Sequence, residues 1–320
     1  MGFLEIKDLS HLLEQKRGLK NEHTNNNWRE SYYFNATDEK RQISLITTIG
    51  ILPNKGRCSG FVIIIKNKKI ALVKLLITNE IRWHETDRFS LKGLSYQIEG
   101  IDWRLRYNSK KCKFNLLFRP INEFYAYEKG KNENNIRPFK NLASQHIEQA
   151  GLFEGDITLK GKQINFGPSP GHRDHSWGVR DWSSVDSYWL FSCTFGQERA
   201  FNLWRGSIQN DNFDVGYVFD SGINKEIISS NIKGHYKSKG KEPLGAEISF
   251  IDENNKKHKV RCEVLCSIPI PLNKCIIYET IARMQYDNYI GYGLLERLVN
   301  DKNPLHKLQS LLEIKRRGGG

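Results

Sequence analysis

A chain of 320 residues with 38% hydrophobic and 11% aromatic content is long enough for two domains or one large β unit, and too apolar for a disordered polymer, so its net charge of +13 belongs to the surface of a folded protein. The basic residues fall in short scattered clusters, such as Lys66 to Lys69, Lys110 to Lys113 and Lys256 to Lys259, beside Asn or Gly, which reads as solvated turns and excludes a dedicated nucleic-acid face. Six cysteines without a CxxC pair, no apolar leader and no run long enough to span a bilayer predict a cytoplasmic protein with free thiols, no bound metal and no transmembrane segment.

Residues 8–17 place Leu9, Leu12 and Leu13 on one helical face, with Asp8 as N-cap and Gly18 as stop. The asparagine-rich residues 21–27 read as a linker. After Trp28 the pattern changes to short β-rich runs at 31–35, 42–52, 59–66, 70–78, 96–101, 103–108 and 112–119, punctuated by Asn, Lys, Gly and Pro. Residues 124–142, with Gly130 and Pro138, predict a long loop or lid, and Trp83-His84-Glu85 a polar surface cluster. A strand at 144–160 follows, with His146 and Glu148 as core polar partners. Further runs at 186–195, 199–208, 213–219, 226–234, 245–251, 257–266 and 275–286 keep the rhythm, with turn signals about every 8–12 residues, as sandwiches and barrels show. With no helical pattern between strands, the class is all-β and antiparallel. Gly291 to Leu298 reads as opening a short terminal helix, and residues 302–317 as another. The expected division is 1–27 helix and linker, 28–165 first barrel, and 166–320 second barrel with its terminal helix.

The densest chemistry lies in Gly171-His172-Arg173-Asp174-His175-Ser176-Trp177-Gly178-Val179-Arg180-Asp181-Trp182, bounded by Pro168, Pro170 and Ser183-Ser184. In an extended segment, side chains alternate between faces. His172, Asp174, Ser176, Arg180 and Trp182 then share one face, and Arg173, His175, Trp177 and Asp181 the other. Such a strand either holds buried ion pairs that fix register or presents an acid to a pocket.

This stretch, with His146-x-Glu148-Gln149-x-Gly151-x-x-x-Gly155 before it and Gly291-Tyr292-Gly293-x-x-Glu296 after it, resembles the lipocalin-like superfamily of hydroxyneurosporene synthases (carotenoid hydratases), and especially its two-domain members. The resemblance implies two packed calycin-type β-barrels and an apolar pocket for a terpenoid-like or polyketide-like molecule. Members act as hydratases, and relatives include cyclases and pericyclases, so a terpene cyclase is also implied.

Hydrating or cyclising an isoprenoid begins with protonation of an unactivated alkene, which needs a buried acid and aromatic faces to shelter the cation. The candidate acids are Asp174 and Asp181, with His175 as partner and Glu296 as a further pocket carboxylate or helix-terminal acid. Trp177, Trp182, Tyr188 and Trp189 are the candidate pocket lining. Arg173 and Arg180 are expected beside the substrate, or clamping the aspartates in a structural role. No phosphate loop, GxSxG elbow, HExxH helix or DDxxD motif is present. The expected function is therefore a cofactor-independent, acid-catalysed enzyme acting on a small hydrophobic isoprenoid-like ligand. The alternative is a non-catalytic carrier for such a ligand.

Overall fold

Alternation of β-branched and aromatic residues with polar ones over runs of about ten residues favours half-buried strands, and nearly the whole chain follows that rule. The computed structural model describes residues 25–79, 88–130, 137, 143–237, 241–272 and 274–300. The first unit contains β1 (Trp28–Asp38), β2 (Ile43–Leu52), β3 (Arg57–Lys66), β4 (Lys69–Thr78), β5 (Arg88–Leu91), β6 (Leu94–Glu99), β7 (Asp102–Asn108), β8 (Cys112–Pro120), β9 (Tyr125–Ala126), β10 (Gln145–Leu159) and β11 (Lys162–Val179). The second contains β12 (Val185–Thr194), β13 (Arg199–Ile208), β14 (Asp211–Asp220), β15 (Ile223–Tyr236), β16 (Pro243–Asp252), β17 (Lys257–Leu272), β18 (Cys275–Tyr286) and β19 (Tyr289–Asn300).

In the first unit the strand order is β4-β3-β2-β1-β11-β10-β8-β7-β6-β5, with β9 on β10. Its edges β4 and β5 come into contact, so the sheet curls almost into a barrel. The second unit is a closed eight-stranded barrel running β12 to β19 in order. This is the two-barrel, lipocalin-like all-β architecture that the sequence predicts. Among the described residues no helix is long and apolar enough to cross a membrane.

Three buried layers result. Tyr32, Phe34, Tyr96, Trp103, Phe118 and Phe153 fill the concave side of the first sheet. Trp189, Phe191, Phe201, Leu203, Phe250 and Leu295 fill the second barrel. A third layer joins the two units and combines Tyr33, Ile46 and Ile63 of the first with Tyr188, Leu190, Trp204, Leu294 and Leu298 of the second. Adjacent residues separate accordingly: Tyr32 points into the first core and Tyr33 into the junction, as the period of two requires.

Two boundaries differ from expectation. The passage between sheets falls at residues 180–184, beyond the expected 165, because β11 continues through the motif and pairs with β10 up to Trp177 and with β1 up to Val179. The helix expected from Gly291 is instead β19, which pairs with β12 and β18 to close the barrel. Both faces of β19 are buried, Leu295 inward and Leu294 and Leu298 toward the junction, so period-two alternation is lost and the leucines mimic helical spacing. A Cβ at Gly293 would overlap the Ser192 carbonyl oxygen on β12, so glycine permits this closure. The expected helices at 8–17 and 302–317, the cluster at 83–85 and most of the loop at 131–142 lie outside the described residues. The start of that loop is ordered as β9 and a 3₁₀ turn, Tyr127–Lys129.

Candidate active site

The two faces of β11 carry separate polar systems. On the inner face, His175 Nε2 lies 2.8 Å from Glu30 Oε1 and its ring stacks on Tyr32 at 4.1 Å, while Tyr32 Oη donates to the same Glu30 oxygen at 2.7 Å. Arg173 Nε donates to Gln149 Oε1 at 2.7 Å and its guanidinium lies 4.9 Å over the Trp103 ring. These contacts pair buried polar groups with one another inside the first core.

On the junction face, Asp174 is directly opposite Tyr33 on β1 and Glu148 on β10. His146 Nε2 lies 2.8 Å from Glu148 Oε1, and His172 Nε2 lies 2.7 Å from Glu148 Oε2. Tyr127 donates to Asn202 Oδ1 while stacking on His146 at 5.0 Å. His146, Glu148 and His172 are only 3%, 2% and 2% exposed. Asp174 is half-buried, less enclosed than the residues of this cluster around it. Arg180 donates to Ser176 Oγ and, at 3.2 Å, to Ser31 Oγ, with its guanidinium 5.7 Å from the Trp182 ring centre.

The electrostatics separate the two acids. Burial holds the Asp174 carboxyl well above the ordinary carboxylate range, and the charges of Glu148 and Glu296 add to this; Arg180 and His175 oppose it and are outweighed. Glu148 is also pushed up by burial, but its hydrogen bond with His146 favours the ion. Two neighbouring carboxyls resist ionising together, so the ion is favoured at Glu148 and the proton at Asp174.

His172 is lowered from 6.5 to about 3 by burial and by the charge of Arg173. The unfolded chain therefore binds a proton near pH 6.5 that the folded chain refuses until about pH 3. His172 thus contributes stability above pH 6.5 and loses it as pH falls toward 3. A His172→Gln variant is expected to lose less stability on acidification through this window, by up to about 1.4 kcal/mol per pH unit. Chemical denaturation of both proteins from pH 7 to 4 checks this; parallel curves would remove His172 as the source.

The family model described as "Domain of unknown function (DUF7064)" matches residues 18–301. The chain belongs to this family. No curated protein sequence matches it. Among solved structures it is similar to a Nitrosomonas europaea protein given the name AttH, at 10% identity and a TM-score of 0.62 over 85% of this chain and 92% of that one. Kievitone hydratase from Nectria haematococca is similar at 11% identity and a TM-score of 0.60, over 86% of this chain and 90% of the other. CghA, solved alone and with Sch210972, is similar at 9% identity; the structure without it gives a TM-score of 0.62 over 86% and 88% of the two chains. At such identities the likeness is one of fold.

Of the residues expected in a site, Asp174, Arg180, Trp182, Tyr188 and Glu296 meet at the junction. The others do not. His175, Arg173 and Trp177 face the interior of the first unit, so His175 cannot partner Asp174: successive residues of a strand point to opposite sides. Trp189 lies inside the second barrel, stacked on Phe191 at 5.8 Å and covered by Arg297 at 4.2 Å. Asp181 is exposed and caps the 3₁₀ turn Trp182–Ser184 by accepting from the Ser183 amide at 2.9 Å.

Glu279 and Tyr33 were not expected at the site. The signal available for Glu279 is one acid in the otherwise uncharged run Cys275 to Ala282. His146, Glu148 and Asp174 are the described group spaced for a metal, with ligand atoms within 4.8 Å of one another. Both Glu148 oxygens are already engaged by histidines, and a cation there would hold Asp174 ionised.

Proposed function

We propose that this protein is a hydratase- or cyclase-type enzyme in which Asp174 protonates a carbon–carbon double bond of an apolar, isoprenoid-like substrate bound between the two β units. The observation that carries this reading is the position of Asp174: a carboxyl that burial pushes toward its neutral form, on a half-buried residue beside a buried polar cluster and on the face of β11 turned to an apolar and aromatic layer. Burial makes the proton available at neutral pH, and Arg180 stabilises the carboxylate left behind. Tyr33, Tyr188 and Trp204 belong to the layer that would shelter the cation from water. One structural neighbour being named a hydratase is in keeping with this chemistry. The donor, the conjugate-base partner and the aromatic wall are all protein groups, so the reaction is expected to need no cofactor.

Protonation of an alkene writes solvent hydrogen into the product. Incubation of the protein in D₂O with linear polyprenyl alcohols, their diphosphates and squalene is expected to yield an alcohol or a cyclised hydrocarbon skeleton carrying one deuterium at the protonated carbon. Turnover is expected to be unchanged by EDTA. Recovery of tightly bound but unaltered ligand would instead make the chain a carrier, and a product without deuterium would rule out this acid chemistry.

A further inference from the structure

Two carboxyl groups that the proton-donor reading leaves unused lie in the same junction. Glu279 on β18 and Glu296 on β19 are direct cross-strand partners, and their side chains hydrogen-bond to each other. Two ionised carboxylates facing each other would repel, so this bond requires a proton on one of them. Each acid also has its own tyrosine. Tyr33 of the first unit donates to Glu279 Oε2 at 3.1 Å, and Tyr188 donates to Glu296 Oε1.

The surroundings decide which acid holds the proton. Burial pushes both up, and Glu279 is raised further by the charge of Glu296 and by its hydrogen bond to that carboxylate. Glu296 accepts hydrogen bonds from Glu279 and Tyr188 and feels the positive charge of Arg180. These surroundings favour the neutral donor at Glu279 and the anion at Glu296. They are 5% and 9% exposed, so the charged member is the one closer to accessible space. A single negative charge thus faces the apolar layer that Asp174 also faces.

We propose that the Glu279–Glu296 pair is a second catalytic centre, in which Glu296 stabilises the carbocation and removes the final proton while Glu279 positions it. This rests on the reading of Asp174 as proton donor. In a cyclisation, the Asp174 O–H bond breaks and its proton bonds to an alkene carbon through the π pair, leaving a cation on the neighbouring carbon. A second π pair closes a C–C bond and moves the cation. A C–H bond adjacent to the final cation then breaks; its electron pair forms the new double bond, and its proton bonds to Glu296. One proton enters and one leaves, with no oxidant or reductant, and exchange with solvent restores both acids.

A merely structural pair would tie β18 and β19 to β1 without favouring a cation at the junction. The discriminating probe is decyltrimethylammonium, which carries the charge of the intermediate on an apolar chain, with decanol as its uncharged control. By calorimetry, the wild-type protein is expected to bind the ammonium ion about tenfold more tightly than decanol. Glu296→Gln is expected to lose that preference, whereas Glu279→Gln, which retains a donor to Glu296, keeps it. No preference in the wild type, or an undiminished one in a folded Glu296→Gln protein, overturns the proposal. Equal loss in both variants overturns the assignment of the charge to Glu296. Failure of the Asp174 reading shows up separately, as a wild-type product without deuterium, and leaves these affinities unaffected.

Discussion

Asp174→Asn is expected to lower turnover by about 10²–10⁴-fold while leaving ligand affinity and Tm close to wild type. The amide has the size of the carboxylic acid but no proton acidic enough for an alkene. Because burial favours the neutral form of Asp174, the exchange to a neutral amide is expected to delete no ion pair, so the loss falls on chemistry and spares stability. Asp181→Asn is the internal control. That residue is an exposed cap of a three-residue turn, so its replacement is expected to leave turnover unchanged and to cost under about 1 kcal/mol. Single-turnover kinetics with melting curves on both variants would decide the matter, and equal activity in Asp174→Asn and wild type would refute the proton-donor role.

The second large effect is on folding. Glu148→Ala strips the common partner from His146 and His172, both buried where water cannot replace it. Breaking a buried network by removing one member costs about 3–5 kcal/mol, and Tm is expected to fall on the order of 10 °C. Glu148→Gln, which keeps one acceptor oxygen, is expected to recover part of the loss. Scanning calorimetry of the two variants provides the measurement; a melting point unchanged in Glu148→Ala would mean that the histidines find other partners and that the network does not hold the junction together.

Much of the fold is legible along the chain because strand formation is local. Runs such as Trp103, Leu105 and Tyr107 against Arg104, Arg106 and Asn108 alternate with the period of β7 and mark one dry face. The rule breaks where both faces are dry. At β19 the leucines lost their alternation and read as a helix, since local spacing cannot distinguish a strand buried on two sides from an amphipathic turn. The motif at 171–182 shows the same limit within the site. Alternation separates Asp174 from His175 correctly, but it does not say which side meets the second unit, and so does not say which acid faces substrate.

By itself, then, the sequence determined the all-β class, the polar strand at the centre, its division into two faces and the acid–arginine–aromatic chemistry that such a strand can support. Only the tertiary structure decided that one face opens on a junction between two units, that Asp181 is a surface cap and Trp189 a core residue, and that Glu279 stands opposite Glu296 with Tyr33 bonded to it from 246 positions away. The reason is physical. Side-chain direction follows from backbone dihedrals residue by residue, whereas the partner of a buried charge is set by strand register and by the docking of two sheets, and both depend on the whole chain.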